Sequence, residues 1–179
     1  RGQSAGLAPP SEAGGRTMAE LPFLRGMYDA GARGLFDVLS ATPYGVWSGP
    51  EDRRVDVQVL NFSRAILLRE EMVRRGDADV PVWAVEFGWN ALPEGWDGAA
   101  PPWGTDTVDK QGDRTARAIE RARQEWSWLG VVCWADLHPA VPEQDPRWGF
   151  DGGNKYRCGH GQQEDGQQYL PRPSLGRHR

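Results

Sequence analysis

The chain is poor in sulfur and in histidine, with two cysteines, three methionines and three histidines among 179 residues. Cys133 and Cys158 are too few for a disulfide framework and do not fix a redox compartment. With His138 and His160 they would make an N/S ligand set of the kind structural zinc prefers. Their C-x4-H and C-x-H spacings, however, match no usual zinc module. No metal or other cofactor is expected. Long apolar runs are also missing. None approaches the roughly 18 residues of a membrane-spanning helix, and no basic flank with an apolar stretch marks a signal peptide. Basic charge is not in excess either. The formal net charge is −4, whereas phosphate neutralisation needs a basic surface, so neither nucleic acid nor membrane is an expected partner. There is no phosphate-cradling GxxxxGK[ST] run, and "GVWSGP" lacks the glycine spacing of a serine nucleophile elbow.

What remains is a globular composition, 39% hydrophobic and 26% charged, of a length suited to one domain or part of a larger one. It opens on Arg1 rather than Met, as expected of a processed or partial chain. The surplus is in tryptophan, of which there are nine. Tryptophan usually fills cores, but its flat apolar face also suits the C–H face of a pyranose.

Residues 1–17 are rich in Gly, Pro and Ser and read as loop. "MAELPFLRGMYDAG" has helical spacing at Phe23, Leu24, Met27 and Tyr28, with Gly31 as its stop. "GLFDVLSATPYG" reads as a short strand containing Asp37. The stretch from Asp52 to Asp77 predicts an amphipathic helix with Phe62, Ala65, Ile66, Leu68, Met72 and Val73 on one stripe. "VPVWAVEFGW" predicts a second strand, and "NALPEGWDGAAPPWG" a long loop of the kind that is functional or disordered. A third helix comes next, with Ala118, Ile119, Ala122 and Trp126 on its stripe. "LGVVCWADL" predicts a third, buried strand that includes Cys133. Alternating helices and strands imply an α/β fold with a parallel sheet. Residues 151–179 are polar and aperiodic, an expected irregular tail.

Each strand ends in side chains that a core would not select: Thr42 and Tyr44, then Glu86, Trp89 and Asn90, then Trp134, Asp136 and His138. Functional residues of α/β folds gather at such C-terminal strand ends. In this order "FDVLSATPYG", "VPVWAVEFGWN" and "WSWLGVVCWADL" resemble the last three strands of retaining (β/α)8-barrel glycoside hydrolases. The clan is the one that includes the cellulase-like families five and thirty-nine. "AGLAPP" resembles the end of the strand before them, so the likeness covers roughly residues 4–150.

The resemblance implies a partial TIM barrel, about strands 5–8 with their helices, over residues 18–150. It implies Glu86 as catalytic nucleophile, Tyr44 as the residue that orients it, and Trp134 as the floor of the adjoining sugar subsite. Trp89, Asn90 and Thr42 are the further candidates for substrate contact, Thr42 standing where the family commonly has histidine. The expected partner is a β-linked oligo- or polysaccharide. No Asn-Glu-Pro-like motif for the general acid/base occurs, and a whole barrel takes about 250 residues. The chain is therefore expected to hold half of the chemistry and to self-associate through open barrel edges. The alternative is a carbohydrate-binding or interaction remnant of the same fold without turnover.

Overall fold

A computed structural model describes residues 18–134 and Gly149. The element order is α1 (Glu20–Asp29), β1 (Leu39–Ala41), α2 (Ala65–Arg75), β2 (Val82–Phe87), α3 (Val108–Glu125) and β3 (Leu129–Trp134). The strands form one parallel sheet in the order β1-β2-β3. Sequential parallel strands joined by crossovers of one hand carry their helices on a single face, and the burial follows that rule. Ala41 and Val82 pack with Leu21, Leu24, Leu68 and Met72 from α1 and α2. Phe87 packs with Phe62, Ala65, Ala118 and Ala122, toward α2 and α3. On the opposite face Ser40, Trp83, Glu86, Gly130 and Cys133 are exposed.

The α/β alternation and the parallel strands match expectation; several details do not. The helix expected over 52–77 is confined to Ala65–Arg75, after a 3-10 turn at Phe62–Arg64. Asp52 and Asp56 each take the backbone N–H two residues on, from Arg54 and Gln58. Such local bonds compete with helix. Buried Arg64 then ties the loop down through the carbonyls of Asp56, Val57 and Val59. Gly76 ends α2 in the left-handed conformation, φ 86°. Asp37 lies in a bend ahead of β1 rather than inside a strand, and Cys133 is exposed rather than buried. "AGLAPP", Asp136, His138, Cys158, His160 and the tail lie outside the described residues.

α1 and α2 are joined by a charged cluster that the apolar stripe did not reveal. Glu71 is 1% exposed and accepts from Arg25, Arg74 and Arg75. Beside it the Tyr28 hydroxyl donates to Asp77 Oδ2 at 2.9 Å.

Candidate functional site

β2 pairs with β3 through Ala84↔Val132 and Phe87↔Trp134, so three steps on β2 match two on β3. That extra residue is a β-bulge, and a bulge re-aims side chains. Strict alternation from buried Val82 and Ala84 would bury Glu86 and expose Phe87. The bulge reverses this: Phe87 is 1% exposed, while Glu86 reaches solvent on the face opposite α1, α2 and α3. An acid near the end of an apolar strand is thus accommodated without burying its charge.

Glu86 has a partner from the segment that follows the neighbouring strand. The Tyr44 hydroxyl donates to its Oε2 at 2.8 Å. Tyr44 is in turn held in place by the turn on its C-terminal side. The Gly45 N–H donates to Gly88 O at 3.1 Å, continuing the alignment of β1 and β2 beyond the strands. A Cβ on Gly45 would overlap Cε2 and Nε1 of the Trp89 indole. Glycine is therefore required there by close approach. The turn is closed by Ser48 N–H to Gly45 O at 3.3 Å. Val46 occupies it at φ 52°, the one non-glycine residue with positive φ among the described residues. A β-branched residue in that region is an outlier, a strain of about 1–3 kcal/mol, held where the surroundings over-determine it.

Trp89 supplies that constraint. It is 0% exposed, its Nε1 donates to Ser48 O at 2.7 Å, and its ring packs against Phe62 and Phe87. Trp89, expected as a substrate contact, is thus placed beneath the 45–48 turn with its ring enclosed.

Asn90 is likewise buried, at 3% exposure. Its Nδ2 donates to Gly104 O at 2.9 Å, and its own carbonyl accepts from the Asp106 N–H at 2.8 Å. Leu92 N–H adds a bond to Thr105 Oγ1. The 90–106 loop is therefore a closed Ω-type loop whose neck is Asn90. Asn90, expected as a substrate contact, thus places its amide nitrogen on the backbone of this loop, while its Oδ1 is buried without a hydrogen-bond partner among the described residues. Thr42 is half-buried, and its carbonyl accepts from the Tyr44 N–H at 2.9 Å. Trp134 ends β3 half-buried, its ring edge-on to Phe87 at 5.9 Å between centroids.

The expected residues therefore divide. Glu86 and Tyr44 are brought together, Trp134 packs beside Phe87, and Trp89 and Asn90 form the support. No family model and no curated protein matches this chain. Among the described residues no cluster of His, Cys, Asp and Glu could hold a metal ion. One exposed aromatic was not among the expected site residues. Trp47, three residues after Tyr44, is 61% exposed. Its signal was present in "PYGVWSGP", a glycine-bounded turn directly after a strand.

Proposed function

We propose that this chain is the nucleophile-bearing part of a retaining glycoside hydrolase acting on β-linked glycans, with its three strands forming part of a (β/α)8 barrel. The observation that carries the reading is the Tyr44–Glu86 hydrogen bond at the C-terminal ends of two adjacent parallel strands. Supporting it are the single-sided helix layer and the uncovered opposite face, where a closed barrel would have its interior.

In this reading Tyr44 holds Oε2, and Oε1 attacks the anomeric carbon. The C–O bond to the leaving group breaks as the carboxylate–carbon bond forms, and the leaving group departs with the electron pair. Water then hydrolyses the glycosyl-enzyme and restores Glu86. Retention needs a second carboxyl about 5–5.5 Å from the first to protonate the departing oxygen. With no Asn-Glu-Pro-like motif in the chain, that acid comes from a further segment. Glu86 alone then reacts only where the leaving group needs no proton.

The test is intact-mass spectrometry after incubation with 2-deoxy-2-fluoro glycosides bearing dinitrophenolate. A mass gain that maps to Glu86 and vanishes in Glu86→Gln is the expected result. A folded protein that gains no mass with any sugar of the panel would sink the nucleophile assignment. The second reading, a carbohydrate-binding remnant without turnover, is favoured by the absent acid motif and predicts binding that survives Glu86→Gln with no adduct.

A further inference from the structure

We propose that Trp47 is a carbohydrate-stacking platform beside the Glu86 site, a subsite for a neighbouring sugar ring of the same β-linked glycan; this rests on the glycosidase reading. Three observations converge on it. Trp47 is 61% exposed in a chain where Trp89 and Trp126 are 0% and 4% exposed. Trp83, on the sheet, is also exposed, at 40%, but Trp47 is the more open of the two and stands on a turn. One edge of Trp47 is also packed. A Cβ on Gly104, whose φ is 76°, would meet Trp47 Cδ1 at 2.6 Å and Nε1 at 2.9 Å. The pyrrole edge of the indole thus lies against Gly104 while much of the residue stays open.

Third, the turn that presents Trp47 is strained and clamped. Val46 sits at φ 52° immediately before it. The turn's two ends are fixed on Trp89, by the close approach of Gly45 and by the Nε1 bond to Ser48 O. Backbone strain of this kind gathers at ligand-binding sites because the surrounding structure keeps a shape that the local sequence does not favour. Here the shape retained is the one that displays an aromatic face.

The platform is tied to the catalytic pair by a short chain. Tyr44 contacts Glu86, and Gly45 begins the turn that carries Trp47. An aromatic face on the turn that directly follows the nucleophile's partner suits a rigid ring with an apolar face and polar rim, which is a pyranose. Ordered, low-entropy aromatic contacts of this type favour binding because little freedom is lost on association.

The experiment uses the full chain carrying Glu86→Gln, with cellotetraose, laminaritetraose and xylotetraose as probes. N-bromosuccinimide oxidation is mapped by peptide mass spectrometry with and without each sugar, and affinities are measured by calorimetry. At least one tetrasaccharide is expected to protect Trp47. Trp47→Ala should weaken that sugar about tenfold, while Trp47→Tyr keeps most of the affinity, as loss of a stacking contact of about 1.4 kcal/mol predicts. Because Trp47 is exposed, the variant should keep the parental circular dichroism. Equal oxidation of Trp47 at saturating sugar, or unchanged affinity in Trp47→Ala, overturns the platform. If fluoroglycosides still label Glu86 in the parent, only the platform falls. If no tetrasaccharide binds and no adduct forms, the platform and the glycosidase reading fall together.

Discussion

Gly45 lies against the indole of Trp89 so closely that no side chain fits between them. This contact stacks the turn after β1 onto the residue just beyond β2, and with it sets the height of Tyr44 against Glu86. Gly45→Ala places a methyl group in overlap with that indole, and Trp89 has no space to retreat because Phe62 and Phe87 pack against it. Overpacking a filled core destabilises by about 1–3 kcal/mol. A drop of that size in urea unfolding free energy is expected, together with slower labelling of Glu86. Wild-type stability and labelling in Gly45→Ala would show that the contact positions nothing.

Tyr44→Phe separates positioning from folding. The lost group is one hydroxyl on a half-buried ring that donates to an exposed carboxylate. A hydrogen bond to a charged group is worth about 1.5–3 kcal/mol where water is excluded, as under a bound sugar, and little where the pair faces water. Where that orientation is needed to attack, the rate of fluoroglycoside labelling should fall roughly 10- to 100-fold. Thermal unfolding should shift little, since the carboxylate left behind faces water. A variant labelled at the wild-type rate would reduce Tyr44 to a neighbour of Glu86.

The order of helices and strands was legible because each is long enough, or apolar enough, to show its period. The orientation of Glu86 was not. Alternation along "VWAVEF" predicts a buried acid, and only the bulge between Ala84 and Phe87 turns it outward. A bulge is set by pairing with β3, which no local window contains. Trp89 and Asn90 resemble strand-end site residues for a similar reason. Sequence places them at the right height, but packing against Phe62 and the closure of the 90–106 loop decide that they face inward. The Tyr44–Glu86 pairing was expected only through family resemblance, since the two residues are 42 apart. Glu71 was hidden inside a run of charges. Its spacing to Arg74 and Arg75, three and four residues on, was visible, whereas Arg25 comes from another helix.

Glu71 links α1 to α2 through charge rather than apolar contact. Burial works against its ionised form, but hydrogen bonds from Arg75, Arg25 and Arg74 prevail and lower its pKa from 4.5 to about 2. A carboxylate depressed in the folded state stabilises the protein fully above its unfolded pKa. That contribution is lost as the pH falls through the folded value. Stability should therefore decline between about pH 4.5 and pH 2. Asp52, lowered chiefly by Arg54, and Glu125, lowered chiefly by Arg53, act in the same direction. Glu71→Gln should lose about 3 kcal/mol at neutral pH, the lower end for breaking a buried pair, because all three arginines reach water. Chemical denaturation across that pH range is the measurement. The variant should show a shallower acid slope, and an unchanged slope would remove Glu71 from the linkage.

Tyr28 makes the corresponding prediction at the alkaline end. Burial, then its hydrogen bond to Asp77 and the charge of that carboxylate, raise its pKa from 10.0 to about 12. Ionising the phenol would place a second negative charge against Asp77, which is itself 7% exposed. The folded state holds the proton more tightly than the unfolded chain. This contribution is therefore complete below pH 10 and disappears as the pH rises toward 12. Tyr28→Phe removes the titrating group and also the donor to Asp77 Oδ2. Leaving that buried acceptor unsatisfied should lower stability by about 1–3 kcal/mol at neutral pH. Above pH 10 the wild type should lose stability faster than the variant, so the two unfolding curves converge. The difference in phenolate absorbance between wild type and Tyr28→Phe, recorded alongside unfolding, assigns the titration to this tyrosine. Loss of stability with the same alkaline slope in both proteins would place the pH dependence elsewhere and leave Tyr28 only its hydrogen bond.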